Sequence, residues 1–203
     1  HAMAATPSRS SSGPTGPMAS PRRAFLRFGA GLATVGAVAG GGYLLYRPAN
    51  DRQLVFATVA DAMREVERLA SAAVGPLAPA TAWNWSQTLV HCAQSIEYSL
   101  QGFPAPKSAL FQNTLGAAAF NLFALRGRMS HNLAEPIPGA PALDAAAEAQ
   151  AALARLRKAA QDFAAHTGPL QPHFAYGALD KAQYEQAHAM HLANHLSAFD
   201  VVG

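Results

Sequence analysis

The stretch that decides the fold lies near the end of the chain, where residues 184–199 read Tyr-Glu-Gln-Ala-His-Ala-Met-His-Leu-Ala-Asn-His-Leu-Ser-Ala-Phe. No residue in it breaks a helix, and a polar, turn-like segment at residues 177–180 precedes it. Helix positions three or four apart lie on one face. The predicted core-facing positions are therefore Tyr184, His188, His191, His195 and Phe199. Histidines thus occupy places where apolar side chains are expected.

The spacing of His191 and His195 allows both imidazoles to point at one place, because positions i and i+4 are neighbours on a helix surface. Burying an imidazole without a partner costs about 1–3 kcal/mol. A shared metal ion would satisfy both rings, since neutral imidazole ligates zinc, nickel, copper and ferrous iron. Ordinary histidines held by hydrogen bonds are the alternative, and this motif alone does not decide between the two.

The rest of the fold is predicted from apolar periodicity. Helices are expected over residues 54–74, 83–101, 108–126 and 142–166, before the histidine helix. The predicted apolar faces include Val55 in the first helix and Leu115 and Leu125 in the third. No stretch alternates as a strand would. The expected class is all-α, an up-and-down bundle of four long helices plus a further helix.

The chain is 203 residues long, which allows one domain with appendages. Residues 1–19 are rich in Ser, Pro and Gly and are predicted to be disordered. Residues 20–50 form a predicted signal or anchor, and residues 51–203 form the helical bundle. The net charge is only +3, and aromatic residues are not interleaved with a basic stripe, so no nucleic-acid partner is expected. The single cysteine, Cys92, excludes an internal disulfide and is expected to be a small buried residue.

The predicted signal contains Arg22 and Arg23, followed by Phe25-Leu26 and an apolar run at residues 28–46. This order resembles a twin-arginine (Tat) export signal. An ordinary membrane anchor with basic flanks is the alternative. The uncleaved run is just long enough to cross a bilayer and would be the chain's membrane contact. Either reading places the folded part in the periplasm or at the outer face of the cytoplasmic membrane.

A third ligand is expected from a facing helix, because helical bundles build metal sites in this way. His91 is the best candidate, since it lies in the middle of predicted helix 83–101 and one position off its apolar stripe. His188 shares the face of His191 and is expected to pack in the core with a hydrogen bond, although it could also be a partner of the ligands or an alternative ligand.

The remaining histidines fit a metal site less well. His131 and His173 fall in predicted loops, and His166 falls at a helix end. Each is expected to be a capping or solvent-exposed residue.

Several motifs together resemble one family. They are Trp85-Ser-x-x-Leu-Val-His91-Cys-Ala-Gln-Ser-Ile-Glu-Tyr98, Gly102-Phe-Pro104, Ile137-Pro-Gly-Ala-Pro141, His173-Phe-Ala-Tyr-Gly-Ala-Leu179 and His191-Leu-Ala-Asn-His195-Leu. They are similar to the branch known as domain-of-unknown-function family 1569, within the DinB-like metal-binding four-helix bundles. The resemblance covers about residues 51–199. It implies a ligand triad of His91, His191 and His195 and does not specify the reaction.

The expected cofactor is a divalent metal ion, with zinc, nickel and iron left open. The wider superfamily includes metal-dependent transferases that use a low-molecular-weight thiol, so the resemblance implies a thiol transferase, with a hydrolase as the neighbouring possibility. Gln94, Glu97 or Tyr98 could orient water or substrate. The alternative is a non-catalytic, metal-stabilised helical binding or structural module. Partners are expected to be a small molecule or thiol, and a homodimer is left open.

Overall fold

Helices dominate the described part of the chain, which comprises residue 45 and residues 51–77 and 82–202 of a computed structural model. In chain order its elements are α1 (Val59–Ala70), β1 (Val74–Pro76), α2 (Trp85–Gln101), α3 (Ala109–Phe111), a π-helical segment (Gln112–Gly116), α4 (Ala117–Arg126), α5 (Ala149–Ala165), α6 (Lys181–Leu196) and β2 (Phe199–Val201). The mainly helical class expected from the sequence is confirmed.

The hydrophobic core lies between α1, α2, α5 and α6. Helix α2 packs against α5 and α6, and α1 packs against the same two helices. Each of the four contributes side chains that are essentially inaccessible to solvent, among them Val66, Leu69, Leu89, Ile96, Leu156, Phe163, Tyr184 and Leu192. Because α2 and α6 both face this core, their histidines are brought to neighbouring positions.

The two helices that carry the predicted ligands begin in the same way. The Asn84 side chain accepts a hydrogen bond from the Gln87 backbone, and the Gln87 side chain accepts one from the Asn84 backbone. Asp180 and Gln183 form the same reciprocal pair at the start of α6. Such a capping box satisfies backbone N–H groups that have no partner within the helix, and a cap contributes about 1 kcal/mol. These local bonds fix where α2 and α6 begin.

Several predicted helix bounds were too long. The first helix begins at Val59 because the Thr58 side chain caps the backbone N–H of Asp61. Val55 consequently lies outside the helix and is 62% exposed. The predicted helix over residues 142–166 begins only at Ala149. The apolar periodicity extends upstream of both observed helix starts, because alanine and valine also occur in coil.

A minor two-stranded sheet, which the sequence did not predict, accompanies the helices. Strands β1 and β2 pair antiparallel, with Val74 opposite Val201 and Pro76 opposite Phe199. Phe199 therefore belongs to a strand, and the histidine helix ends at Leu196. Each strand has three residues, which is too short to show the alternation that identifies a strand in a sequence.

The predicted apolar face of the third helix was also wrong. Leu115 and Leu125 are 67% and 75% exposed, whereas Gly116 and Phe120 are buried. A π-helical turn uses more residues per turn than an α-helix, so it shifts the phase of the helix that follows it. No single stripe of period 3.6 can therefore run through residues 109–126.

The predictions for the N-terminal region concern residues that the structure does not describe. The predicted disordered segment (residues 1–19) and the predicted signal or anchor (residues 20–50) lie outside the described residues, apart from Leu45. Across the part of the chain that the structure describes, none of the helices combines the length and the apolar character needed to cross a membrane.

Candidate metal centre

Three histidines converge between α2 and α6. His91 comes from the middle of α2, while His191 and His195 lie one turn apart near the end of α6. One ligand-type atom from each lies within 4.8 Å of the others. The ring centres of the three pairs are 4.6, 4.7 and 5.0 Å apart. The expected proximity is therefore observed, and metal ligation by these residues is a proposal developed below.

The nitrogen spacing agrees in part with what one shared ion requires. The Nε2 atoms of His91 and His191 are 3.1 Å apart. Two nitrogens bound at about 2.0–2.1 Å can be at most about 4.2 Å from each other. A pair near the 4.8 Å limit must therefore close by a few tenths of an ångström, which small rotations of the imidazole rings can supply.

Burial keeps the three rings neutral. Burial, together with the smaller effect of the neighbouring His131, lowers the pKa of His91 to about 3. Burial, followed by the neighbouring imidazoles, places the pKa values of His191 and His195 well below the ordinary range. A neutral imidazole carries a free nitrogen lone pair, which is the form that ligates a metal.

Two ring nitrogens in the cluster lack hydrogen-bond partners. They are Nδ1 of His91 and Nε2 of His195, and both are buried. A buried polar atom without a partner costs about 1–3 kcal/mol. Ligation of a cation by His195 Nε2 would remove this cost at one of the two positions. The donor set and its unsatisfied nitrogen thus fit a divalent metal such as zinc, nickel or iron.

An indole ring covers one side of the cluster. The Trp83 ring centre lies 4.8 Å from that of His91 and 6.1 Å from that of His195, and the Trp83 and His195 rings are nearly parallel. This packing excludes water from that side, which contributes to the neutral state of the imidazoles.

A cavity of about 230 Å³ opens onto the cluster. His91 and His191 form part of its wall. Its other lining residues are Ser95, Lys107, Met129, His131, Glu135, Pro136, Ile137, Pro138, His173, Phe174, Tyr176, Ala187 and His188. The wall is thus mostly apolar and aromatic, with the exposed side chains of Lys107 and Glu135 as its charged groups.

His131 was expected to be a capping or solvent-exposed loop residue, and this expectation was wrong in its second part. The residue does lie in coil, but it is half-buried at the edge of the cluster and is not solvent-exposed. Its ring centre is 5.5 Å from that of His191 and 5.2 Å from that of His195. Burial lowers its pKa as well. No periodic pattern marks a coil residue, so the sequence carried no signal for this placement.

His173 was also expected to be a capping or solvent-exposed residue, and it is buried. Its Nδ1 atom accepts hydrogen bonds from the backbone N–H groups of Ala175 and Tyr176, at 3.1 and 3.2 Å. Its ring stacks on that of Tyr176, with centres 4.2 Å apart. These contacts fold residues 173–177 into a tight turn beside the cavity. Local side chain-to-backbone bonds of this kind are not visible as a periodic pattern.

The expectation that His188 packs in the core with a hydrogen bond is confirmed. The Ser99 hydroxyl donates to the Ile96 carbonyl at 2.6 Å, so it must accept from His188 Nε2–H at 3.1 Å. This bond joins α2 to α6 next to the histidine cluster. It also places the single proton of neutral His188 on Nε2, so that nitrogen has no free lone pair with which to bind a metal.

His166 and Cys92 lie as expected. His166 is the C-cap residue of α5, and its Nε2 atom is 3.1 Å from the Pro169 carbonyl oxygen. Cys92 is 1% exposed, and burial raises the pKa of its thiol to about 12. A neutral, buried thiol is neither a nucleophile nor a ready metal ligand.

The candidates for orienting water or substrate do not line the cavity. Glu97 binds Arg155 through two hydrogen bonds of 2.8 and 2.9 Å. Tyr98 packs against Phe103, with ring centres 5.6 Å apart, and Gln94 is buried. Ser95, which the sequence did not single out, is the α2 residue that lines the cavity together with His91.

Comparison with known proteins places the domain in a family. Neither the curated proteins nor the solved structures contain a match to this chain. One family model, described as "Protein of unknown function (DUF1569)", matches residues 49–201. This match covers the whole helical domain and all the histidines of the cluster, and the chain therefore belongs to the DUF1569 family.

Proposed function

We propose that this chain is an exported, DinB-like four-helix bundle whose histidines His91, His191 and His195 hold a divalent metal ion that acts on a small molecule. Thiol transfer is the first reaction class and hydrolysis is the second. One observation carries the proposal: a cavity of about 230 Å³ opens directly onto His91 and His191. A purely structural metal site is closed by protein on all sides, whereas a catalytic site keeps an accessible position.

A bound divalent ion would supply Lewis acidity, which stabilises a thiolate or a hydroxide at neutral pH. The chain supplies the remaining requirements. Its neutral imidazoles leave a bound ion its full positive charge, because they contribute no negative charge of their own. Trp83 packs against His91, and the cavity opens onto His91 and His191, so a reactant in the cavity would meet the cluster there.

The cavity wall indicates the kind of molecule that it accepts. Met129, Ile137 and Phe174 offer apolar contacts, while Lys107 and Glu135 place one charge of each sign on the wall. Such a wall suits a small and partly apolar molecule that also carries polar or charged groups. A low-molecular-weight thiol has this chemistry, and so does a small ester or amide.

The second candidate function is a non-catalytic module in which a metal only joins α2 to α6. Its support is that the cluster bridges these helices next to the Ser99–His188 bond. In that case the metal would bind the three histidines and stabilise the packing of α2 against α6, but no molecule in the cavity would react. Both candidates require the same ligands, so they differ only in what the cavity does.

Binding of a thiol to the cobalt-substituted protein separates the two functions. The full chain is loaded with Co²⁺, and a panel of small thiols is added while the near-ultraviolet spectrum is recorded. A thiolate-to-cobalt charge-transfer band, lost in His191→Ala, supports the first function. Absence of this band for every thiol, together with no metal-dependent hydrolysis of small esters, would support the structural module.

Export and assembly are parts of the same proposal. The order of Arg22-Arg23 and Phe25-Leu26 before an apolar run motivates export by the Tat route to the periplasm or to the outer face of the cytoplasmic membrane. Leu110, Leu115 and Leu125 are exposed apolar side chains near one another in sequence. They motivate a homodimer, whose test is the molar mass of the purified chain in solution.

A further inference from the structure

We infer that His173 is a substrate-binding residue, whose Nε2–H group donates a hydrogen bond to a carboxylate of the small molecule in the cavity. The inference rests on the proposed function, in which this cavity holds the reacting molecule, and it names the chemical class of that molecule. His173 is not one of the proposed metal ligands. It lines the same cavity as His91 and His191, so a molecule in the cavity lies beside both the cluster and His173.

The hydrogen bonds of the His173 ring fix the position of its proton. Nδ1 accepts from the backbone N–H groups of Ala175 and Tyr176, at 3.1 and 3.2 Å. A ring nitrogen that accepts carries no proton, so the proton of the neutral ring must be on Nε2. Burial, together with the smaller effect of His188, lowers the pKa of His173 to about 3, so the ring stays neutral and keeps this tautomer. Nε2 can therefore only donate.

The Nε2 atom of His173 is available to a ligand. None of the hydrogen bonds formed among the described residues uses this atom. Nδ1 of His91 and Nε2 of His195 are shut off from solvent without a partner, whereas Nε2 of His173 is not shut off in this way. The residue is only 9% exposed and lines the cavity, so the cavity is where this donor is accessible. An oxygen acceptor in the cavity would satisfy it.

Aromatic contacts hold the ring in place. Tyr176 stacks on His173, with ring centres 4.2 Å apart and an angle of 8° between the planes. The rings of Phe174 and Phe103 lie 4.6 and 5.0 Å away at inclined angles. Two backbone hydrogen bonds between His173 and Gly177, of 2.8 and 3.0 Å, close the turn that carries the ring. The donor therefore has a fixed direction before any ligand binds, which lowers the entropic cost of binding.

A positive charge on the same part of the wall favours a negatively charged acceptor. The backbone N–H of Lys107 donates to the Phe174 carbonyl at 2.9 Å, so Lys107 is joined to the turn that carries His173, and it lines the cavity. Glu135, the acidic residue of the wall, acts on the pKa of His131 and so belongs to the part of the wall beside the cluster. One neutral donor and one cation match the single charge of a carboxylate, since hydrogen bonds to an ionised acceptor are the stronger ones.

A substitution by asparagine separates the ligand contact of His173 from its part in the turn. In His173→Asn, the side-chain oxygen can accept the two backbone hydrogen bonds that Nδ1 accepts, but no donor stands at the position of Nε2. Lys107→Met removes the charge and keeps a long side chain. His166→Asn, at the end of α5, is the matched control for loss of an imidazole.

The test measures, by calorimetry, how tightly the metal-free full chain binds butyrate and its neutral counterpart butyramide. Metal is left out because a carboxylate could also bind directly to an ion at the cluster. The wild-type chain should prefer butyrate, and Lys107→Met should reduce this preference. His173→Asn should lose at least about 10-fold in butyrate affinity, as expected for a hydrogen bond to a charged group, and His166→Asn should match the wild type.

Two calorimetric results would overturn the inference. One is that the wild-type chain does not bind butyrate, and the other is that His173→Asn binds it as tightly as the wild type. If Lys107→Met leaves the preference for butyrate over butyramide unchanged, the assignment of a charged acceptor beside Lys107 is wrong.

A second measurement serves if His173→Asn does not fold. In the wild-type chain labelled with ¹⁵N-histidine, butyrate should shift the Nε2 resonance of His173, which is read through the carbon-bound ring protons. A resonance that saturating butyrate leaves in place overturns the inference. Neither measurement involves metal, so the outcome is independent of the three-histidine site. Butyrate binding through His173 in a chain whose cluster holds no metal would keep the carboxylate site and exclude the metal chemistry, and a metal-bound thiolate without any role for His173 would do the reverse.

Discussion

The Nε2 atoms of His91 and His191 lie 3.1 Å apart, although the two residues are separated by 100 positions in the chain. Two uncharged ring nitrogens at this distance either share one proton or direct both lone pairs at one ion. The separation is close to the roughly 2.9–3.4 Å that two ligands of a single divalent ion adopt at octahedral or tetrahedral angles. The unsatisfied Nε2 atom of neighbouring His195 favours the ion.

Alanine substitutions should separate the ligands from the other histidines. His91→Ala, His191→Ala and His195→Ala should each lower zinc affinity by more than about 100-fold, beyond the cost of losing an outer partner. Elemental analysis of the dialysed full chain measures the bound metal. His166→Ala, at the C-cap of α5, is the control and should retain the wild-type amount. Equal metal content in all four variants would exclude a site at this cluster.

Metal binding should resist acid more strongly than an exposed histidine site does. Burial lowers the pKa of His91 from 6.5 to about 3, so protons do not compete for its nitrogen at pH 5. Bound metal should therefore persist as the pH falls from 7 to 5 and should be lost only as the pH approaches the lowered value. Equilibrium dialysis with ⁶⁵Zn, together with circular dichroism to verify folding, provides the measurement. A loss centred near pH 6.5 while the chain stays folded would contradict the burial argument.

Stability of the metal-free chain should fall in acid, and His188 should account for part of the fall. Burial lowers its folded-state pKa from 6.5 to about 3, so below pH 6.5 the unfolded chain binds a proton that the folded chain does not. This contribution to stability is complete above pH 6.5 and is lost as the pH falls toward 3. His188→Leu should reduce the slope of unfolding free energy by about 1.4 kcal/mol per pH unit in this window.

Urea unfolding at several pH values, with a chelator present, measures that slope. Ser99→Ala is the matched control, because it removes the hydrogen-bond partner of His188 and keeps the titrating group. Its slope should equal that of the wild-type chain. A His188→Leu slope that also equals the wild-type slope would show that His188 does not contribute.

Gly116→Ala should destabilise the fold beside the cavity. A Cβ atom at this position would lie 1.8 Å from the backbone oxygen of Ala175, so the π-helical segment and the turn at residues 173–177 would have to separate. The expected cost is more than about 1–3 kcal/mol, as for an overpacked core position. Thermal unfolding measures it. Gly168→Ala is the control, since the nearest atom to its Cβ is 3.6 Å away, and a similar loss in both variants would refute the steric explanation.

Export should depend on the arginine pair before the apolar run. Replacing Arg22 and Arg23 with lysine should retain the full chain in the cytoplasm, because the Tat route reads the guanidinium pair in this order of residues. Cell fractionation and immunoblotting measure the location. Unchanged export in a strain that lacks the Tat translocase would show that the segment is an ordinary signal or anchor.

Local sequence was sufficient for those parts of the site that depend on one helix. The fixed geometry of an α-helix places His191 and His195 on one face, wherever that helix lies. The caps at Asn84 and Asp180 bond to residues three positions ahead, so they too are determined by the local sequence. His91 was found because it lies next to an apolar stripe, and its convergence with His191 then requires only that α2 and α6 share a core.

Tertiary structure alone decided the rest. His131 and His173 lie in coil, where no period relates sequence position to direction, and their places beside the cavity depend on long-range packing of residues 127–148 and 166–180. The π-helical segment shifted the phase of the following helix and exposed Leu115 and Leu125. The short β1–β2 pair depends on residues 199–201 returning to residues 74–76, which are distant in the sequence. Helical periodicity is a local property, whereas the convergence of His91 with His191 and His195, and the placement of His131 beside them, are set by how helices and coil pack together.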